Sequence, residues 1–322
     1  MPIRPLAEVD IVLSIFNQEK IIERILHGIF ENTLTPFHLI LVFDGCTDGS
    51  EAKATGFIRT NQPPLMRSLV VQKAPNVYET RANNIGFRLA CSDYMVTLQD
   101  DMEIKECGWE IRLTYPLRAF DRTLAVTGRI AQDIGSYAGG ALRYTNRAGR
   151  ELNTLRRTTF AVRDIINRGP IAFRMEYLRT LGYLNESYAP SDLDDADLAL
   201  RGWEQLRAVC GALWIDYVSK PEWSKAKAND STMHSGISVA AHAVQIAHDH
   251  AAYLAEGTRH SENIRIGNDE IDYPEGFSRF RLSRDTTMRA IPYRWDRILW
   301  RLRRIASTVR RMGAATIRNV CR

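Results

Sequence analysis

The stretch Phe37-His38-Leu39-Ile40-Leu41-Val42-Phe43-Asp44-Gly45-Cys46-Thr47-Asp48-Gly49-Ser50 decides the fold. Phe37 to Phe43 is a short apolar run of the kind that forms a buried strand. It stops at a turn-rich cluster, Asp44 to Gly49, which carries two aspartates. Working outward, Val9 to Ile15 is a second such run, rich in β-branched residues. Between the two, Ile21, Ile22, Ile25, Leu26, Ile29 and Phe30 recur at helical spacing on one face. Asn17 is placed to cap that helix, and Pro36 requires it to have stopped. Downstream, Ser68 to Gln72 and Tyr94 to Leu98 read as strands, separated by a helix through Ala82, Ile85, Leu89 and Ala90. Strands alternating with helices predict an α/β fold with a doubly wound, mostly parallel sheet. Such sheets bind ligands beyond the carboxyl ends of their strands. Asp44, Asp48, Asp100 and Asp101 all fall at those ends, so separate segments bring acid to one rim.

The middle of the chain is less regular. Thr123 to Gly128 reads as a strand and Gly135 to Gly140 as a flexible loop. A short helix from Arg174 to Leu181 stops at Gly182, and a second runs from Asp195 to Leu206. Val209 to Tyr217 is strand-like.

An acidic rim repels phosphate unless a hard cation lies between them. Mg²⁺ or Mn²⁺ takes one or two carboxylates and completes its shell with phosphate oxygens. Asp100-Asp101 suits that role; adjacent aspartates after a strand also simply make a turn. The blocks around the pair favour the first reading. Ser14-Ile15-Phe16-Asn17 is followed by the 43–50 cluster, then Asn84-x-Gly86, then Leu98-Gln99-Asp100-Asp101-Met102. Next come Arg168-Gly169-Pro170-Ile171-Ala172-Phe173-Arg174, Leu181 to Glu186, and Leu193-Asp194-Asp195-Ala196-Asp197-Leu198-Ala199-Leu200-Arg201. This order resembles the family 2 glycosyltransferases over about residues 9 to 215.

The resemblance implies a GT-A fold, Rossmann-like, and inverting transfer from a nucleotide-diphosphate sugar. It implies that Ser14, Phe16, Asn17 and Asp44 border the nucleotide, with Asp48 shaping the same loop. Asp100 and Asp101 match the later carboxylates of the family's D-x-D element, Asp101 as the ligand of Mn²⁺ or Mg²⁺; Gln99 stands at the first position. Asn84 belongs to the donor block. Asn83 occupies the place of a frequent arginine, and Arg81 is either its substitute on phosphate or an exposed helix residue. Asp195 matches the catalytic base, with Asp194 as the neighbouring candidate. A base must reach the acceptor hydroxyl, whereas Asp192, Asp194 and Asp195 could equally cap the helix. Asp197 and Arg201 are spaced to pair. His234 is a candidate for the metal or diphosphate; an isolated histidine is also an ordinary surface residue. His242, His248 and His250 lack zinc spacing and read as helix-surface residues.

The net charge of +5 divides unevenly. Residues 279–322 hold 13 Arg and 2 Asp, giving +11, which leaves −6 on the rest. Trp295, Ile298, Leu302, Ile305, Val309 and Met312 alternate by three and four, with arginines mostly off that stripe. This predicts an amphipathic basic helix, for an anionic membrane surface, for packing or a coiled coil, or for nucleic acid, which the acidic remainder disfavours. The expected division is a catalytic domain at 1–255 and a basic extension at 256–322. Five scattered cysteines without C-x-x-C spacing, no apolar leader and no 20-residue apolar run point to a cytoplasmic chain, soluble or peripheral on a membrane.

The acceptor expected is a glycan or lipid-linked glycan. Three rivals remain at this level. A non-catalytic nucleotide-sugar-binding protein fits Gln99 and Asn83. A sugar nucleotidylyltransferase needs a Gly-rich, Arg-containing first loop, where this chain has Ser14 to Asn17. A membrane or nucleic-acid adaptor would use the tail alone.

Overall fold

The computed structural model describes residues 3–190, 192–223, 236–256 and 261–274. Four strands, β1 (Val9–Ile15), β2 (Phe37–Asp44), β3 (Met66–Ala74) and β4 (Tyr94–Gln99), lie parallel in the order β3-β2-β1-β4. Helices α1 (Ile22–Asn32), α2 (Ser50–Asn61) and α3 (Tyr78–Leu89) connect them. The chain steps outward from β1 to β3 and then returns to the other side of β1. That reversal opens a crevice between the carboxyl ends of β1 and β4, where open α/β sheets take their ligands. β1 and β2 are buried almost throughout, as their apolar runs predict. α3 packs close to the sheet because position 86 is glycine: a Cβ there would stand 2.4 Å from Val12 Cγ1.

Beyond β4, the two-residue strand β5 (Glu103–Ile104) leads to α4 (Trp109–Ala119) and β6 (Thr123–Thr127). β7 (Ile130–Ala138) and β8 (Ala141–Gly149) form a hairpin, followed by β9 (Thr159–Arg163), β10 (Ile165–Ile166) and β11 (Ile171–Arg174). α5 (Met175–Thr180), α6 (Asp194–Leu206), β12 (Val209–Leu213) and β13 (Tyr217–Val218) come next. Helices Gly236–Asp249 and Ala251–Glu256 and the strand β14 (Glu262–Arg265) end the described chain. Among the described residues the main sheet has nine strands, ordered β14-β9-β12-β6-β11-β4-β1-β2-β3. β11 runs antiparallel to both β4 and β6, so the sheet is parallel on one side and mixed on the other.

Three local expectations are corrected. Gly135 to Gly140 is not a flexible loop. Residues up to 138 belong to β7, and Ala138 pairs with Ala141 across a two-residue turn. Gly139 and Gly140 take φ of +60° and +76°, which a hairpin turn of that length requires. Asn17 does not cap α1, which starts at Ile22 without a side-chain cap. Asn17 itself adopts φ +52° and belongs to the rim loop. His242 and His250 are buried, not surface residues; His248 alone is exposed. Residues past 255 also pack with the body: β14 joins the main sheet, Ile266 and Ile271 lie in the core, and Asp272 takes two bonds from buried Arg118 at 2.5 and 2.7 Å. Among the described residues no helix is long and apolar enough to cross a membrane.

Glu110 fastens α4 under the turn that enters β2. One of its oxygens accepts from the amides of Leu34 and Thr35 at 2.8 and 2.9 Å. Burial pushes its carboxyl up from 4.5 to about 7. The native state therefore holds this proton longer than the unfolded chain does. The associated stability is complete below the unfolded pKa and is lost as pH rises through the folded one. Its size is on the order of 3 kcal/mol. Glu110→Gln keeps a carbonyl acceptor and cannot ionise. Urea unfolding between pH 4.5 and 7 should show wild-type stability falling relative to the variant; parallel curves would exclude this account.

Candidate functional site

The first wall of the crevice is made by the loops after β1 and β2, which are laced together. The Thr47 amide donates to Asn17 Oδ1 at 2.8 Å, and the Cys46 thiol donates to the Ile15 carbonyl. Asp48 accepts from the Glu19 and Ser50 amides at 3.0 Å each, and the Gln18 amide donates to Ser50 Oγ at 2.7 Å. Asp48 thus shapes the loop. Asp44 is 4% exposed and accepts from the Val77 amide at 2.6 Å; burial holds its carboxyl above the usual range. Gly45 turns the chain at φ +64°, where a Cβ would strike Asn76.

The β4 end joins this wall directly. Asp100, fully buried, accepts from the Phe16 amide at 2.8 Å, tying β1 to β4 beyond their last paired residues. Asp101 follows at the rim, 8% exposed, and its charge acts on Arg129. Ser14 donates its hydroxyl to Asn83 Oδ1 at 2.9 Å.

Two donor-block candidates face elsewhere. Asn84 is wholly buried, and its amide group bonds the Leu184 carbonyl, the Leu184 amide and Glu186. It staples α3 to the segment before α6. Arg81 is half exposed and faces Glu186 at 3.8 Å. The geometry is that of an exposed helix arginine.

Opposite β4, α6 begins with Asp194 and Asp195. Asp194 has no exposed surface. It accepts from Thr80 Oγ1 at 2.7 Å and from the next amide of its own helix, Asp195, at 2.8 Å, and is in close contact with the Arg168 guanidinium. Asp195 accepts from the amides of Arg168 and Ala196, at 2.7 and 2.8 Å. Burial raises its pKa, against the opposing charge of Arg168. Asp197 pairs with Arg201 at 2.7 Å, as the spacing predicts, and also meets His250 at 3.1 Å. Carboxylates face both ring nitrogens of His250, Glu204 lying 2.9 Å from the other, and its pKa is raised accordingly. A cavity of about 20 Å³ touches Gln99, Glu79, Arg168 and Asp195 together. It is water-sized and joins the β4 end to the start of α6.

Arg168 and Glu79 escaped the sequence reading as site residues. Arg168 lay inside a quoted block, so its presence was signalled though its role was not. Glu79, in the first turn of α3, carried no signal.

Among the described residues, no three His, Cys, Asp or Glu side chains converge as an all-protein metal site would need. A cation shared with a diphosphate needs only one or two carboxylates, and Asp101 at the rim fits that lesser demand. His234 lies outside the described residues.

The family model described as "Glycosyl transferase family 2" matches residues 10–174, just over half of the chain. Among solved structures, GalNAc-T7 with UDP, GalNAc and Mn²⁺ superposes with a TM-score of 0.51 at 13% identity. The match covers 65% of this chain and 42% of that one, so this chain spans under half of GalNAc-T7's length. TarS 1–349 of S. aureus with UDP gives a TM-score of 0.47 at 13% identity, over 76% of this chain and 70% of that one. No curated protein matches the chain. The family match spans the crevice from β1 through β11, and the sheet beneath it has the GT-A fold; the chain belongs to glycosyl transferase family 2.

Proposed function

We propose that this chain is an inverting enzyme that moves a sugar from a nucleoside diphosphate to a hydroxyl of a glycan or lipid-linked glycan, with Asp195 as general base. One observation carries the reading. Asp195 lines the same small cavity as the end of β4, at Gln99, while Asp194 is consumed by Arg168, Thr80 and the Asp195 amide. A carboxylate raised by burial is also a better base than a solvated one.

In the proposed step the acceptor oxygen forms a bond to the anomeric carbon as its proton passes to Asp195. The bond from that carbon to the diphosphate oxygen breaks on the opposite face, and the diphosphate leaves with the electron pair. Asp101 would hold Mn²⁺ or Mg²⁺, which supplies charge neutralisation of the departing diphosphate. UDP, GalNAc and Mn²⁺ accompany GalNAc-T7, which makes uridine nucleotides and Mn²⁺ the first probes. The laced loops carrying Phe16, Asn17 and Asp44 preorganise the nucleotide wall.

A thermal-shift screen of nucleotide sugars, with and without Mn²⁺, tests the donor class, and product release from the best donor tests transfer. In the same assay Asp101→Asn should weaken donor binding in Mn²⁺ by roughly tenfold or more, about 1.4 kcal/mol per decade. Binding of the nucleoside without metal should not change. Equal donor affinity in variant and wild type would remove Asp101 from the metal.

A further inference from the structure

We propose that Glu79 and Arg168 form a positioning link that holds the end of β4 and the base Asp195 in one register. The proposal rests on the reading of Asp195 as base. The link is continuous. Gln99 Nε2 donates to Glu79 Oε1 at 3.1 Å, and the other oxygen of Glu79 lies 3.0 Å from Arg168 Nη1. The second Arg168 nitrogen meets Asp194 and donates to Thr80 Oγ1 at 3.2 Å. The Arg168 main-chain amide donates to Asp195 itself at 2.7 Å. Three separate elements thus meet at one guanidinium: the first turn of α3, the segment before β11 and the start of α6.

Burial gives the link its stiffness. The side chains of Glu79, Arg168 and Asp194 are 15%, 12% and 0% exposed. Charges so withdrawn from water stay paired, because separating one leaves another unsolvated. A planar guanidinium holding two carboxylates also fixes its own backbone, and that backbone carries the bond to Asp195. The residue before Asp100 is the neutral Gln99, and Glu79 sets a carboxylate beside it from α3.

The charges around Asp195 make the link testable. Besides burial, Asp195 feels Arg168 from the segment before β11 and Asp192 from the approach to α6. It bonds to Asp194 through its amide, and its charge acts on Tyr144 of β8 and Cys210 of β12. The base works deprotonated. Removing the Arg168 cation raises its pKa and moves the acid limb of the rate profile to higher pH. Removing the Glu79 anion strengthens the field of Arg168 at Asp195 and moves the limb to lower pH. Side chains that merely supported the fold would not move the limb in opposite directions.

The test uses the full chain, with Asp195→Asn beside Arg168→Gln, Arg168→Lys and Glu79→Gln. UDP affinity in Mn²⁺ and the pH profile of kcat are measured, with the nucleotide sugar that stabilises wild type most as donor. Expected results are UDP affinity within about twofold of wild type, kcat lower by roughly ten- to a hundredfold in Arg168→Gln and Glu79→Gln, opposite shifts of the acid limb, and partial recovery in Arg168→Lys. Wild-type kcat and an unmoved limb in Glu79→Gln, with Asp195→Asn inactive, would overturn the link and leave the base in place. Full activity in Asp195→Asn would remove the base reading itself. Should Arg168→Gln fail to fold, Glu79→Gln decides the matter alone.

Discussion

Asp195→Asn is expected to lower glycosyl transfer by about 10²-fold or more, the usual contribution of a general base, while UDP affinity stays close to wild type. The side chain keeps its size but can no longer take a proton. Both carboxylate oxygens accept backbone amides, from Arg168 and Ala196, and Asn replaces one of those acceptors with a donor. A stability loss of about 1 kcal/mol follows from the lost bond. Asp194→Asn should behave differently. Its carboxylate is fully buried against Arg168, so neutralising it removes one of the two carboxylates that form ion pairs with that guanidinium and leaves the pair with Glu79. Breaking a buried pair costs about 3–5 kcal/mol, with the retained Glu79 placing this case at the low end. Denaturant unfolding and initial rates together separate the two: Asp195→Asn inactive with the smaller stability loss, Asp194→Asn with the larger. The reverse pattern would move the base by one residue. In wild type, activity should rise with pH through a pKa above that of an ordinary aspartate, because burial raises it.

What the sequence made legible follows from where its signals are local. The strands β1, β2 and β4 were visible because each is a buried apolar run that ends in polar residues at the rim. The start of α6 was visible because three aspartates precede a helical apolar stripe. Asn17 misled because the same residue type serves helix caps and left-handed turns, and its turn is stabilised by Thr47, thirty residues away in the chain. The β7–β8 hairpin was hidden because Gly135 sits inside a strand, where it lets Thr145 approach; a Cβ would lie 2.7 Å from Thr145 Cγ2. The burial of His250 depends on Asp197 and Glu204 of another helix, and nothing in residues 236–256 announces them. The Glu79–Arg168 contact joins residues 89 apart, so only the folded chain reveals it.

The basic tail, residues 279–322, lies outside the described residues. We expect the full chain to bind vesicles containing anionic lipid at low salt. Each arginine near such a surface is worth about 1 kcal/mol, and the apolar side chains of Trp295 and Ile298 would add contact with the lipid. The packed body reaches at least Asp272, held by Arg118, so a chain truncated after residue 278 keeps β14 and every core residue named above. It should fold and bind UDP as wild type does. It should also lose vesicle binding completely rather than in part, because the charge outside the tail sums to −6 and is repelled by the same surface. For the full chain, raising ionic strength should release the vesicles, since at 0.1 M salt screening acts within about 10 Å. If the full chain ignores anionic vesicles at low salt, and truncation instead changes its oligomeric state, the apolar stripe is a protein-packing surface and the membrane role is wrong.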